Sequence, residues 1–226
     1  MISIQKLSKS YGKNAVLTKI DLELSPGKVY GFVGENGAGK TTLFNCLAGF
    51  QDYKGQIKSD YKILKNHIGF LPTQPYLMSR ITGWEYLKLM SDARGIKNED
   101  FAARNIFDLP LEQYAETYST GMVKKLALMG IILQENDVFI LDEPFNGVDI
   151  HSNMLITEII SKLKSLNKIV LISSHIFSTL SECCDEIRLL KDGNFEQVVL
   201  KEDFAVLEEQ MKAFVVGDRV DKLVLK

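Results

Sequence analysis

The stretch Gly34-Glu35-Asn36-Gly37-Ala38-Gly39-Lys40-Thr41 has the residue types and spacing needed to hold a phosphate. Its glycines let the backbone wrap an anion with N–H groups, and the helix expected to open immediately afterwards adds a favourable field at its N-terminus. Lys40 is placed to reach the outer phosphates of a nucleotide, and Thr42 is counted with the same set. Thr41 can offer its hydroxyl to Mg²⁺, which binds through few protein oxygens together with the phosphates themselves. A second set lies in Asp137-Val138-Phe139-Ile140-Leu141-Asp142-Glu143-Pro144, an apolar strand beside the loop that ends in two carboxylates. Asp142 suits the anionic partner that a nucleotide's Mg²⁺ needs. Glu143 can accept a proton from, or orient, a water attacking the γ-phosphate. Taken alone, a phosphate loop leaves kinases, GTPases and many ATPases open.

The elements that must position these residues follow from periodicity. Residues 1–33 alternate apolar and polar positions, interrupted by the turn signals Gly12-Lys13-Asn14 and Ser25-Pro26-Gly27, and read as short strands with one solvated face. Val29 to Val33 is the strand that delivers the chain to the loop, and Thr42 to Ala48 continues the helix behind it. Lys54 to Ile57 and His67 to Pro72 read as further strands, the second ending at Thr73-Gln74-Pro75. From Thr82 to Glu135 the pattern turns helical. Trp84, Leu87 and Met90-Ser91 mark one helical piece, Phe101, Asn105 and Phe107 to Leu109 a second, and Val123, Leu126, Ala127, Gly130 and Leu133 a third. Ile150, Met154, Ile159, Leu163 and Leu166 predict the buried face of a later helix, with Asp149 as its N-cap. Ile169 to Ser173 is another apolar strand, closed by Ser174-His175. Helices alternating with such strands indicate a parallel sheet covered on both faces. Asp192-Gly193 signals a hairpin, followed by a short helix over about 201–212 and a β-like ending at 222–226.

The order of these motifs resembles that of the nucleotide-binding subunit of an ATP-binding-cassette (ABC) transporter, over about residues 1–195. The resemblance implies a P-loop NTPase (RecA-like) α/β core with a parallel sheet, an N-terminal antiparallel β subdomain and an inserted α-helical subdomain. It divides the single ABC ATPase domain into a core over 1–75 and 137–195, a helical part over 76–136, and a C-terminal tail over 196–226. It further implies that ATP is bound and hydrolysed. Gly34, Glu35, Asn36, Gly37, Ala38, Gly39, Lys40 and Thr41 match the Walker A loop, Asp142 and Glu143 the Walker B strand and its catalytic glutamate. Tyr11 matches the aromatic on which adenine stacks; without the resemblance it reads as a packed strand side chain. Gln74 matches the glutamine that contacts Mg²⁺ or the attacking water, and His175 the switch histidine that reaches the γ-phosphate. Ser119, Thr120, Gly121 and Met122 fall at the family signature, and Asn146-Gly147-Val148-Asp149 at the D-loop. Thr120 and Met122 replace the commoner Gly and Gln of that signature, yet a serine hydroxyl and backbone amides at a helix start still suit a phosphate. Lys125 stands where arginine is frequent.

The Tyr-Ser-x-Gly-Met form resembles subfamilies that mostly serve exporters, so export is favoured. Family members hold each ATP between the Walker loop of one subunit and the signature of another, which implies a homodimer or a heterodimer with a paralogue. Residues 74–95, with Tyr76, Trp84 and Tyr86, are the expected seat for a helix of a transmembrane permease subunit.

Bulk properties predict a soluble, cytosolic protein, and the resemblance implies that it sits peripherally on the cytoplasmic face of the cell membrane through a membrane subunit. With 226 residues, 46% of them hydrophobic, the chain can bury one sizeable core. A net charge of −2 gives no electrostatic case for binding nucleic acid. No apolar run reaches the roughly 18 to 20 residues that span a bilayer, and Met1 to Lys6 is not a signal peptide. Cys46, Cys183 and Cys184 read as small hydrophobes in a reducing compartment. The competing readings are a soluble ABC ATPase acting on the ribosome or nucleic acid, a kinase sharing only the loop, and an inactive regulatory cassette. No essential residue is missing for activity.

Overall fold

The alternation in the first 24 residues sets up two long antiparallel strands, because side chains on a strand point to opposite faces in turn. In the computed structural model, which describes residues 1–97, 100–175 and 177–209, these are β1 (Ile2–Tyr11) and β2 (Asn14–Leu24). β4 (Lys54–Ser59) pairs with the other edge of β1, giving a three-stranded sheet of order β2-β1-β4.

The apolar runs form a second sheet from β3 (Lys28–Val33), β5 (Ile68–Leu71), β6 (Val138–Asp142), β7 (Ile169–Ser173), β8 (Glu186–Lys191) and β9 (Asn194–Leu200). Its order is β5-β6-β7-β3-β8-β9, parallel throughout except for β9. The Asp192-Gly193 hairpin is present, with φ of 49° and 76° at the two turn residues, the left-handed pair that a tight hairpin requires. The strand of the carboxylates reaches the loop without pairing with the strand of the loop, since β7 lies between β6 and β3.

Strands buried on both faces are apolar at every position, and here successive residues enter different cores. Val138, Ile140, Ile169 and Leu171 face the β1–β2 side together with α1 (Lys40–Leu47). Phe139, Leu141, Val170 and Ile172 face the side covered by α3 (Thr120–Leu133), α4 (Ile150–Ser165) and α5 (Phe177–Cys183). The inserted part rests on this second core through α2 (Gly83–Asp92), which starts at a Thr82/Glu85 capping box and packs against α3. Gly130 allows that approach, since a Cβ there would lie 2.9 Å from the Tyr86 ring.

The second helical piece is not helical. Residues 101–109 form successive turns, in which Asn105 donates its side-chain N–H to the Leu109 carbonyl and accepts from the Leu109 amide. Phe101, Phe107 and Leu109 are buried all the same, so their spacing reflects burial of a folded-back loop rather than a helical stripe. The face assigned to α4 is also corrected. Its buried side is Ser152, Ile156, Ile160 and Leu163, whereas Ile150, Met154 and Leu166 are exposed. Several apolar stripes run along this helix, and the one meeting the sheet is Ile156, Ile160 and Leu163. After β9 come a 3₁₀ turn, Lys201–Asp203, and helical residues 204–209; the expected helical positions 210–212 and the expected β-like ending lie outside the described residues.

Cys46 and Cys184 are buried as expected and Cys183 is half-buried; burial pushes the Cys46 thiol up to about 11.

Leu171 is fully buried on β7, in register with Tyr30 on one side and Ile140 on the other. Leu171→Ala is expected to cost about 2–5 kcal/mol. In urea unfolding this would lower the midpoint with an unchanged slope.

Candidate functional site

Gly34 to Gly39 joins β3 to α1, and its glycines are required for two different reasons. Gly37 and Gly39 have φ of 87° and 110°, a region that side-chain-bearing residues rarely enter. Gly34 has no such torsion, but a Cβ on it would collide with the Leu190 carbonyl of β8. The loop is therefore pressed against the hairpin. Within it the Ala38 amide donates to the Glu35 carbonyl at 3.1 Å. Lys40 donates to the carbonyls of Gly34 at 2.6 Å and Glu35 at 3.2 Å, so its ammonium closes over its own loop. Burial lowers its pKa, opposed by the Glu143 and Asp142 carboxylates.

Asp142, at the end of β6, is 1% exposed and collects three hydroxyls. Thr41 and Thr73 donate to Oδ2 at 2.7 and 2.8 Å, and Ser173 donates to Oδ1. Hydroxyl and carboxylate oxygens side by side suit Mg²⁺, a hard cation that keeps much of its shell from phosphate and water. Among the described residues no cluster of three or more His, Cys, Asp or Glu side chains forms a protein cage. A cation shared with phosphates, on Thr41 and Asp142, is the arrangement these donors fit.

Glu143 is held by its backbone. Its φ of 54° is left-handed, a conformation that costs a residue with a side chain roughly 1–3 kcal/mol. The Glu143 amide donates to Ser173 Oγ at 2.9 Å. Its carbonyl accepts from the Asn146 amide at 3.2 Å and from Lys124 Nζ at 2.8 Å. The side chain is thereby aimed outward, and Oε1 lies 2.9 Å from Nδ1 of His175. Asn36, Gly37, Gly39, Lys40, Thr41 and Thr42 form one wall of a cleft of about 300 Å³; Thr73, Asp142, Glu143, Asn146 and His175 form the other.

The remaining predicted residues lie outside this cleft. Gln74 is exposed and does not line it, although its neighbour Thr73 does. Tyr11, at the end of β1, is half exposed, with Lys9 Nζ 5.0 Å from its ring centroid. Ser119 caps α3 by accepting from the Met122 amide at 3.2 Å, so Ser119, Thr120 and Gly121 present a helix N-terminus. Gly121 sits against the D-loop, where a Cβ would come 2.7 Å from the Gly147 carbonyl. Asp149 caps α4 through the Ser152 amide and pairs with Lys125 at 3.2 Å. The Ser152 and Lys125 hydrogen bonds hold its carboxyl well below the usual range.

Three contributors carry no site assignment in the sequence analysis, Thr73, Ser173 and Lys124, and Asn146 enters there only with the D-loop motif. Ser173 carries a recoverable signal, as a hydroxyl ending an apolar strand. Lys124 carries another, a cation among Leu126, Ala127, Leu128 and Met129.

The ABC transporter family model matches residues 17–146. An uncharacterised ABC transporter ATP-binding protein of Methanocaldococcus jannaschii is 31% identical over 200 residues, covering 85% of this chain and 74% of that one. The bacitracin transport ATP-binding protein BcrA of Enterococcus faecalis is 31% identical, covering 96% and 75%. The lantibiotic transport ATP-binding protein SrtF of Streptococcus pyogenes is 29% identical, covering 90% and 91%. Among solved structures, an ATP-binding subunit of an ABC transporter superposes with a TM-score of 0.81 at 24% identity, covering 99% of this chain and 97% of that one. A dimeric ATP-binding cassette in a post-hydrolysis state with ADP and Pi gives 0.78 at 19% identity, covering 89% and 99%. The chain belongs to the ABC transporter family. Within it, this is an ATP-binding protein carrying the family's ATPase domain.

Removing the ammonium that closes the loop removes a charged donor to phosphate. Lys40→Ala is expected to weaken ATP binding about ten- to a hundredfold, the equivalent of one charge-assisted hydrogen bond. A fluorescent-nucleotide titration checks this, and unchanged affinity would count against the loop as the phosphate bed.

Proposed function

We propose that this chain is the ATP-hydrolysing subunit of an exporter and drives transport by closing with a second cassette around two ATP molecules. The observation that carries the catalytic part is the placement of Glu143. Its carboxylate opens onto the same cleft as Lys40 and Thr41, at 2.9 Å from His175, on a backbone locked at both N–H and C=O.

In this reading Gly34 to Thr42 and Lys40 hold the phosphates, and Glu143 takes the proton from the attacking water. His175 and the buried Asp142 knot keep that carboxylate at the mouth of the cleft. Thr41 and Asp142 would hold Mg²⁺, with Gln74 approaching from its exposed loop; when bound, the cation neutralises charge on the phosphates. Tyr11 would stack on adenine. Ser119, Thr120 and Gly121 lie outside the cleft of their own chain, which agrees with a role at the ATP of another copy or a paralogue. Asp149 anchors the D-loop between the two.

Export is supported by the bacitracin and lantibiotic transport relatives. No helix among the described residues is long and apolar enough to cross a membrane; in this reading separate permease subunits form the passage. Their seat is the surface at 74–95, where Tyr76 is 86% exposed. Trp84, edge-on to Phe101 at 5.6 Å, and Tyr86 against Gly130 form the packed floor beneath it. In this reading the protein works on the cytoplasmic face of the membrane, and nucleic acid is not its partner.

Glu143→Gln is expected to bind ATP normally, to slow hydrolysis about 10²- to 10⁴-fold, and to accumulate as an ATP-bound dimer. Turnover and size-exclusion chromatography with ATP measure both. Unimpaired turnover would refute the general-base role, and a persistent monomer would refute closure.

A further inference from the structure

The signature helix contributes more to its own chain than an N-terminus. Lys124, in the second turn of α3, is 2% exposed and stands on a helix whose other buried positions are apolar or glycine. Among the described residues it makes no ion pair with a carboxylate. Its Nζ instead donates to two backbone carbonyls, Glu143 O and Asn146 O, each at 2.8 Å. A buried ammonium without a paired carboxylate is unfavourable, so a helix needing only packing would carry leucine or methionine here. Burial lowers the lysine's pKa, while the nearby Glu143 and Asp142 charges favour its protonated form.

The two carbonyls belong to the turn that places the base. Glu143 O and Asn146 O bracket the residues between β6 and the D-loop, and Glu143 itself sits at a φ of 54°. Ser173 holds the amide side of that strained residue, and Lys124 holds the carbonyl side. Lys125 extends the attachment to Asp149 at 3.2 Å, so consecutive lysines tie α3 to both ends of the 143–149 segment.

We infer that Lys124 is a positioning residue for Glu143, fixing the strained turn so that the carboxylate faces the phosphates, and that it couples the seating of α3 to the alignment of the base. The coupling follows from geometry. Any displacement of α3 when its N-terminus meets the other subunit's ATP pulls on the Glu143 carbonyl. The inference rests on Glu143 being the base, and the test separates the two claims.

The test is a double-mutant cycle, with Lys124→Met in the wild-type and Glu143→Gln backgrounds and Lys124→Gln beside it. Methionine keeps length and removes the donors; glutamine's amide retains two. Lys124→Met is expected to lower kcat about 10- to 100-fold with KM for ATP changed less than about twofold. Lys124→Gln should recover at least about threefold of that loss, and in Glu143→Gln the methionine should add less than about a twofold further loss. Unimpaired kcat in Lys124→Met, or an equal loss in the Glu143→Gln background, would overturn the inference. Should Lys124→Met fail to fold by its melting curve, Lys124→Gln takes its place in the cycle, with a smaller kcat loss expected and the same two outcomes overturning it. Normal turnover in Glu143→Gln alone would remove the base assignment; a large loss there beside an unimpaired Lys124→Met would remove only the lysine's role.

Discussion

The structure turns on one buried carboxylate. Thr41 comes from the first turn of α1, Thr73 from just beyond β5 and Ser173 from the end of β7, and all three hydroxyls meet on Asp142. A buried anion left unsatisfied would be strongly destabilising, so these donors are held as firmly as the carboxylate needs them. The knot compensates for a topology that separates β6 from the loop strand by the width of β7. Through Thr41 the phosphate bed and the acidic strand end behave as one body. Through Ser173, which also receives the Glu143 amide, the same body includes Glu143.

Around that centre the neighbouring groups have short attachments. Glu143 occupies a conformation that a glutamate does not choose unaided, and its neighbours hold it from both sides. The lysine among them belongs to a helix resting mostly on α2 and β5. The site thus joins a rigid α/β base to a helical part seated on it through one apolar core. That arrangement suits an ATPase whose chemistry must respond to the state of its surroundings.

Much of the chain was legible without the fold. The strand-loop-helix unit around Gly34 to Thr41 was, because its glycines, lysine and threonine fall within eight consecutive residues. The strands were, because burial on both faces makes every position apolar, and the hairpin because Asp-Gly has few other uses between two such strands. Convergence over long separations was not: Thr73 and Ser173 reach Asp142 from 69 and 31 residues away. Helical periodicity also misled. Phe101, Phe107 and Leu109 keep a plausible spacing while buried in turns, and α4 carries Ile150 and Met154 on its exposed side. In both cases hydrophobicity was read correctly, but its partner surface was not.

The position of β3 has a consequence for how the molecule is made. This strand carries the phosphate loop near the N-terminus, yet its two neighbours in the sheet are β7 and β8, residues 169–173 and 186–191. Gly34 then leans on Leu190, and the Thr18 amide donates to the Gly193 carbonyl at 2.8 Å. During synthesis β3 therefore has no neighbouring strand to pair with until residues 169–173 have emerged. Such distant pairing slows folding and leaves an apolar edge waiting. The Gly34 to Gly39 loop takes its place against the hairpin only once β8 and β9 have formed beside β3.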